Sequence, residues 1–364
     1  MSYLSQTVQT LSRPPLFTKF MGSKAAIVDR LFSQFDRFEY DAVLDGFSGS
    51  GVVAYEFKKR MKQVATNDIL NFSKEICKAV VENSHQRIDR ETVEKLVITR
   101  EDAPSFVRDN YAGIYFDYDE CYFLDSLWTN LSELRLPEYS KHLVIAAVCR
   151  ACQKKYPRGI FTFTGGTGQD GRKDFKISLE QHFRNAIELF NGAVFSNGRS
   201  NSSYCGDLMN STDIPDSLDL VYLDPPYWTP LADNDYVRRY HFVEGYSKYW
   251  RGLKINDKTR TKKFDSSNYP TPFAKRETAE KALAALFERF SRSIIAVSYS
   301  SNSLPTLRDM RRMIQNVKQH VEVHLIPHRY SFGNVGSVPR NRVDEYLFLG
   351  YDDDQRPIPL IVKQ

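Results

Sequence analysis

A short apolar run that ends abruptly in an acid and two prolines constrains the fold of this chain more than any other feature. Residues 220–223 (Leu-Val-Tyr-Leu) have the composition of a fully buried β-strand. They are followed at once by Asp224-Pro225-Pro226-Tyr227. The prolines prevent the strand from continuing. The sequence therefore predicts that a buried strand opens into a loop here, where open α/β sheets bind their ligands.

The loop after this strand is rich in hydrogen-bond acceptors, because proline has no N–H to donate. An amine with two hydrogens can donate one to the Asp224 carboxylate and one to the Pro225 carbonyl. The lone pair of a nucleobase amine is delocalised into the ring, and two such acceptors would localise it on nitrogen. Tyr227 and Trp228 offer flat faces for stacking a base. The alternative is an ordinary β-turn in which Asp224 is only a turn former.

A second stretch has the layout of a nucleotide-cofactor site. Residues 42–45 are typical of a strand, and a helix is predicted over residues 52–59. Between them, after Asp45, lies a turn of small residues and one aromatic: Gly46, Phe47, Ser48, Gly49, Ser50 and Gly51. Its glycines allow close approach to a ligand, and the Asp45 carboxylate suits a cationic group better than a pyrophosphate. The next strand ends at Asp68, about 20 residues beyond the first glycine, where an acid commonly binds ribose hydroxyls.

Two further stretches contain residues that either contact a ligand or belong to an ordinary loop or turn. Residues 17–24, which include Phe20 and Lys24, precede an amphipathic helix, and they can contact a ligand or form a loop with a capping serine. Asp207 follows Gly206 at the end of a predicted strand and is either a turn residue or a ligand contact.

The composition of the chain excludes several classes of protein. The chain has 364 residues, 41% of them hydrophobic, and a formal net charge of +5, which is compatible with nucleic acid. No apolar stretch approaches the roughly 20 residues that span a bilayer. The five cysteines are scattered, and the pair Cys149 and Cys152 lies in a helix-like run without a second pair, so we predict structural cysteines, no metal site and a reducing cytoplasm.

Together these stretches resemble the α group of S-adenosylmethionine-dependent DNA adenine-N6 methyltransferases, the family that includes the Dam-like enzymes. The matching stretches follow the family's order: residues 19–24, residues 45–51, Asp68 and residues 224–227. Ser23 departs from the second glycine of the family's N-terminal motif. The resemblance is good over about 17–75 and 203–350 and loose between them.

The resemblance implies an α/β fold: a Rossmann-like methyltransferase sheet with helices on both faces and a closing β-hairpin. It implies a discontinuous methyltransferase domain, residues 1–75 and 200–364, and a mainly helical target-recognition insertion, residues 76–199. The implied methyl donor is S-adenosyl-L-methionine. The implied catalytic residues are Asp224, Pro225, Pro226 and Tyr227. The implied cofactor-binding residues are Phe20, Lys24, Asp45, Phe47, Ser48, Gly49, Ser50, Gly51, Asp68, Ile69, Asp207 and Leu208.

The resemblance also implies double-stranded DNA as a partner, with a restriction endonuclease as a possible second partner. The family has a mobile loop after the catalytic motif, where Arg238, Arg239 and Tyr240 are candidates for DNA contact. The loop of the closing hairpin carries three more candidates: Arg329, Arg340 and Arg342. A basic stretch in the insertion either contacts phosphates or is a solvated loop: Arg150, Lys154, Lys155, Arg158, Arg172 and Lys173.

We therefore expect a methyltransferase that modifies the N6 amine of adenine in a specific double-stranded DNA sequence, as a modification methylase. N4-cytosine methylation is the nearest alternative, because that amine presents the same two hydrogens. A second alternative is a catalytically silent DNA-binding protein of this fold. Such a protein is expected to have lost the acid or the glycines, and both are present in this sequence. A nicotinamide oxidoreductase would explain the glycine turn but not residues 224–227.

Overall fold

The computed structural model describes residues 15–162, 173–215, 217–228, 235–265, 267, 269–301, 303–327 and 344–358. Within these ranges the chain forms the following strands: β1 Ala42–Asp45, β2 Gln63–Asp68, β3 Ser202–Cys205, β4 Leu220–Leu223, β5 Ile294–Ser300, β6 His320–Ile326 and β7 Glu345–Tyr351. The α-helices are α1 Val28–Phe35, α2 Val52–Lys59, α3 Asn71–Cys77, α4 Arg90–Leu96, α5 Phe106–Tyr111, α6 Tyr118–Glu133, α7 Glu138–Lys155, α8 Leu179–Ala193, α9 Tyr236–Ser247, α10 Arg276–Arg289 and α11 Leu307–Gln315.

All seven strands form one sheet in the order β3-β2-β1-β4-β5-β7-β6. The pairs from β3 to β5 are parallel, whereas β7 runs antiparallel to both β5 and β6. From β1 the chain first builds the side of β2 and β3, and then returns to place β4 on the other side of β1. This reversal of strand order between β1 and β4 is the position at which doubly wound sheets open a ligand crevice. The predicted α/β fold with a closing antiparallel pair is confirmed.

Helices cover both faces of the sheet because successive strand residues alternate between two apolar cores. Val43 and Tyr222 belong to the core shared with α1, α2, α7, α8 and α9. Leu44 and Val221, their neighbours in sequence, belong to the core packed against α10 and α11. All four residues of β4 are buried, as predicted for a central strand. Each such apolar side chain contributes on the order of 1.5–3 kcal/mol to folding when it leaves water.

The segment between β2 and β3 is mainly helical, as the sequence predicts. Asp117 caps α6 by accepting a hydrogen bond from the Glu120 amide, and Ser178 caps α8 in the same way through the Gln181 amide. Helix α7 packs against α8 and α3, and its buried residues join the same core as α1 and α2. The segment therefore shares one core with helices that cover the sheet. Its role as a target-recognition insertion, and the domain boundaries proposed for it, stay predictions.

Helix α9 differs from the mobile loop that the resemblance places after the catalytic motif. Asp235 accepts a hydrogen bond from the Arg238 amide and begins the helix. Phe242 and Tyr246 then bury one face of the helix in the core. Tyr240 is also fully buried, and its hydroxyl accepts a hydrogen bond from the Met21 amide at 2.7 Å. The burial of Tyr240 does not favour the predicted contact with DNA, which stays a prediction.

The closing hairpin confirms the predicted final pair of strands, β6 and β7. Its loop falls outside the described residues, and with it Arg329, Arg340 and Arg342. In the described part of the chain, none of the helices combines the length and apolarity needed to cross a bilayer.

Candidate active site

The two sequence motifs meet because β1 and β4 are parallel neighbours that end at the same edge of the sheet. The Gly46 amide donates to the Tyr222 carbonyl at 2.9 Å, so the glycine turn begins beside the last residues of β4. A cavity of about 690 Å³ opens at this edge. Every residue that the sequence predicts for catalysis or cofactor binding lines it except Gly51. A cavity of this volume suits a ligand of cofactor size.

The turn after β1 has a backbone that requires glycine. Gly49 and Gly51 have φ angles of +46° and +73°, and Gly51 lies immediately before α2. A Cβ atom on Gly49 would lie 2.9 Å from Cε1 of Phe20. The Phe20 ring in turn stacks on Tyr240, with centroids 4.9 Å apart. The glycine therefore lets the turn lie directly against the aromatic side chain from the N-terminal motif.

Asp45 is a buried carboxylate with one unused oxygen. Its Oδ2 accepts from the Ala54 amide at 3.1 Å, whereas Oδ1 has no hydrogen-bond partner among the described residues. Burial raises the pKa of Asp45 to about 8, and repulsion from Asp224 and Asp68 adds to the rise. Such a group would gain most from a ligand that brings a positive charge or a hydrogen-bond donor to it.

Asp68 connects the turn to the end of β2. One of its oxygens accepts from the Gly49 amide at 2.8 Å and the other from the Leu70 amide at 2.9 Å. Burial raises the pKa of Asp68 to about 6. Both oxygens are thus already engaged with the backbone, so Asp68 shapes the turn in addition to lining the cavity. Its predicted contact with a ribose stays a prediction.

Asp207 lines the cavity beyond β3, which lies beside β2 at the edge of the sheet. Its carboxylate accepts from the Met209 amide at 3.1 Å and from the Asn210 side chain at 2.7 Å. The same edge is held together by Asn67, whose amide group donates to the Gly46 and Gly206 carbonyls. Three neighbouring strand ends therefore contribute to one cavity.

The residues after β4 form a compact charged cluster. The Lys24 ammonium lies 2.7 Å from Oδ1 and 2.6 Å from Oδ2 of Asp224. It also lies 3.0 Å from the Tyr227 hydroxyl and 3.4 Å from Oε1 of Glu345. The Tyr227 hydroxyl is 2.6 Å from both Asp224 Oδ1 and Glu345 Oε1. Burial raises the pKa of Asp224; Lys24 opposes this rise and Glu345 adds to it.

Comparison with known proteins decides the family of this chain. The sequence profile of the D12 class N6 adenine-specific DNA methyltransferases matches residues 20–291. The chain belongs to this family. The predicted function is confirmed at this level: the protein is an adenine-specific DNA methyltransferase, and the N4-cytosine alternative is set aside.

Three characterised relatives support the assignment. Type II methyltransferase M2.HphI of Haemophilus parahaemolyticus is 26% identical over 348 residues, covering 91% of this chain and 96% of that protein. Modification methylase StsI of Streptococcus sanguinis is 24% identical over 91% of this chain and 51% of its own length. Type II methyltransferase M.FokI of Planomicrobium okeanokoites is 23% identical over 91% of this chain and 52% of its own length. The methyltransferase thus spans about half the length of the last two.

Two residues of the site have contacts that the sequence does not indicate. The cofactor role of Lys24 stays a prediction, and its ammonium also contacts Asp224 and Tyr227 in the loop after β4. Glu345, the first residue of β7, was not predicted at all. Its position after Asp344 in a polar stretch gives no sign of burial, because only the pairing of β7 with β5 brings it beside Tyr227 in the loop after β4.

Of the residues predicted to contact DNA, only part lies at the described surface. Arg238 is exposed, and Arg239 is partly exposed and lies over the Tyr236 ring. The basic stretch in the insertion is largely used inside the methyltransferase: Lys154 pairs with Asp174, and Lys155 pairs with Glu120. Arg150 donates to the Leu16 carbonyl. Phosphate contact by these three side chains is therefore not favoured, and Arg172 lies outside the described residues.

We predict that Gly49→Ala lowers both the melting temperature and the methylation rate of the enzyme. The new methyl group would force the Phe20 ring away from the turn, and the positive φ of the backbone would be strained as well. We expect at least a ~10-fold loss of rate, because displacement of the turn by about 1 Å misplaces bound ligands. The measurement is thermal unfolding together with methylation of plasmid DNA.

Gly198→Ala is the matched control for this variant. Gly198 also has a positive φ, +69°, but nothing lies within 4 Å of its added methyl group. Gly198→Ala should lower the melting temperature through backbone strain but should leave the methylation rate unchanged. Equal effects of the two substitutions on methylation would contradict a specific role for the contact between Gly49 and Phe20.

Proposed function

We propose that the enzyme transfers a methyl group from S-adenosyl-L-methionine to the N6 amine of an adenine that has been extruded from double-stranded DNA. The observation that carries this proposal is the single cavity shared by the 45–51 turn and the Asp224-Pro225-Pro226-Tyr227 motif. An adenine amine is out of reach inside a stacked duplex. Extrusion costs on the order of a few kcal/mol, and stacking of the base on the Tyr227 ring would offset part of this cost.

The cavity fits the proposed methyl donor by its chemistry as well as by its size. Asp45 offers a buried carboxylate oxygen without a partner among the described residues, as expected beside a ligand ammonium group. Phe47 and Leu208 provide apolar walls for an aromatic ring, and Asp68 and Asp207 provide acceptors for hydroxyl and amine groups. The other residues proposed to hold this ligand are Phe20, Lys24, Ser48, Gly49, Ser50, Gly51 and Ile69.

Asp224 and Pro225 are proposed to prepare the amine for attack. The Asp224 carboxylate and the Pro225 carbonyl each accept one amine hydrogen, which draws the nitrogen lone pair out of conjugation with the ring. Pro226 has no backbone N–H, so it adds no competing hydrogen-bond donor to the loop. When bound, S-adenosyl-L-methionine supplies a methyl group on a positively charged sulfur that departs as a neutral thioether.

Transfer then needs no covalent enzyme intermediate. The amine nitrogen forms a bond to the methyl carbon while the carbon–sulfur bond breaks, and the electron pair of that bond stays on sulfur. The methylated amine must lose one proton, and the Asp224 carboxylate is placed to accept it. Orientation and electrostatic stabilisation of the developing positive charge would supply most of the rate enhancement.

The DNA surface is proposed to include Arg238 and Arg239 beside the catalytic loop, together with Arg329, Arg340 and Arg342 of the closing hairpin. Arginine side chains suit backbone phosphates because their planar groups donate two parallel hydrogen bonds. The relatives named as modification or type II methyltransferases support recognition of a specific sequence. A cognate restriction endonuclease is proposed on the same ground.

We predict that Asp224→Ala abolishes methylation while the protein stays folded. Lys24 would keep the Gly22 carbonyl and Glu345 as partners, so the ammonium is not left alone. The loss should be at least ~100-fold, as for removal of other groups that stabilise transition-state charge. The measurement is incorporation of labelled methyl groups into plasmid DNA, with identification of the modified base.

Asp219→Ala controls for loss of a carboxylate beside the same strand. Asp219 precedes β4 at the opposite end and accepts hydrogen bonds from the Asp41 and Ala42 amides. This variant should lose stability but keep methylation per folded molecule. Near-normal activity of Asp224→Ala, or equal loss in both variants, would contradict the proposed role of Asp224.

We predict that S-adenosyl-L-methionine binds more tightly as the pH rises from 6 to 7.5. With a pKa of about 8, Asp45 is mostly protonated over this range, and a cationic group favours its ionised form. Binding must therefore release a proton, so the affinity should rise by up to ~10-fold per pH unit. Titration calorimetry in buffers of different ionisation enthalpy measures both the affinity and the proton release.

Asp45→Asn should bind more weakly at pH 7.5 and lose most of this pH dependence. Two other acids face Asp45: burial raises the pKa of Asp68 to about 6, so its share of the pH dependence lies near pH 6, and Asp224 is paired with Lys24. An unchanged pH dependence in Asp45→Asn would show that a group other than Asp45 is responsible.

A further inference from the structure

Glu345 is a buried carboxylate that the proposed mechanism does not use. It begins β7, is fully buried, and lies 2.6 Å from the Tyr227 hydroxyl and 3.4 Å from the Lys24 ammonium. A glutamine side chain would also accept a hydrogen bond from the tyrosine hydroxyl, without the cost of burying a negative charge. The hydrogen bond alone therefore does not explain why an acid lies here.

The charges of the cluster explain why an acid, and not an amide, lies at Glu345. Lys24 and Asp224 alone form a pair with no net charge, and methyl transfer creates positive charge on the amine nitrogen bound at Asp224. The Lys24 ammonium, 2.6 Å from Asp224, would repel this developing charge. The Glu345 carboxylate, 3.4 Å from the ammonium, is placed to counter this repulsion by holding the ammonium away from the amine.

Lys24 also competes with the substrate for the same atoms. Its ammonium lies within hydrogen-bond distance of both Asp224 oxygens, and Oδ1 is already shared with the Tyr227 hydroxyl. An amine hydrogen would have to approach oxygens already engaged by an ammonium group. Shortening the distance from Lys24 to Glu345 from 3.4 Å to a charged hydrogen bond of about 2.8 Å needs a movement of roughly 0.6 Å.

We propose that Glu345 is a positioning residue for methyl transfer: it draws the Lys24 ammonium away from Asp224 when the target amine enters the site. The negative charge of Asp224 is then directed at the amine. This inference rests on the proposed function of Asp224. Glu345 acts through Lys24 and Tyr227 and does not touch the base.

The test is Glu345→Gln, which keeps the shape and the acceptor oxygen but removes the charge. We expect the single-turnover methylation rate at saturating DNA and donor to fall by about 10-fold to 100-fold. The dissociation constants for duplex DNA and for S-adenosyl-L-methionine, measured by fluorescence anisotropy and calorimetry, should change by less than about threefold. Glu345→Asp, which keeps the charge, should recover part of the rate.

A second pair of variants separates positioning of Lys24 from a structural role. In a Lys24→Met background there is no ammonium to move, so adding Glu345→Gln should change the rate by less than about threefold. The comparison of Lys24→Met with the double variant Lys24→Met/Glu345→Gln also tests the inference if Glu345→Gln alone does not fold. Neither of these two proteins contains a Lys24 ammonium that has lost its Glu345 partner. A further loss of 10-fold or more in this background would overturn the inference.

The outcomes distinguish the inference from the function on which it rests. An active wild-type enzyme with an undiminished Glu345→Gln variant would overturn only the role of Glu345. A wild-type enzyme that methylates no adenine would overturn both. A rate loss in Glu345→Gln with unchanged binding, absent in the Lys24→Met background, would support the role proposed here.

Discussion

The parallel pairing of β1 with β4 is the interaction on which the rest of the site depends. The pairing sets Asp45 opposite Tyr222, so that one strand ends in the glycine turn and the other in the acceptor-rich loop, side by side. Because the strand order reverses at this pair, no helix crosses directly between the two strand ends, and a crevice is left open. Methyl transfer in a single direct step requires this proximity, since donor and acceptor must be bound in line.

The same crevice concentrates buried acids. Asp45, Asp68, Asp224 and Glu345 are all buried or nearly so, and Lys24 provides a positive charge among them. Buried carboxylates are costly without partners, and here three of them, Asp45, Asp68 and Asp224, have a raised pKa that a cationic ligand would lower. The site is therefore electrostatically suited to a reaction in which positive charge enters with one ligand and moves to the other.

The sequence predicted the parts of the fold that depend on local pattern. The buried strand before Asp224 and the helix Val52–Lys59 lie where apolar pattern and turn residues indicate them, and the segment between β2 and β3 is mainly helical as predicted. Tyr240 and Glu345 were beyond such reasoning. Tyr240 looks like a residue of a polar loop until α9 packs on Phe20, and Glu345 looks exposed until β7 inserts between β5 and β6. The environment of both residues depends on tertiary contacts between residues far apart in the chain.

In the proposed reaction, the turn at residues 45–51 and the loop at residues 224–227 serve one transfer of a methyl group to adenine N6. Sequencing of modified bases in DNA from cells that express the chain, compared with cells carrying an empty vector, tests it most directly. We expect N6-methyladenine at one position of one sequence context, only when the chain is expressed. Unmodified DNA, or N4-methylcytosine in place of N6-methyladenine, would contradict it.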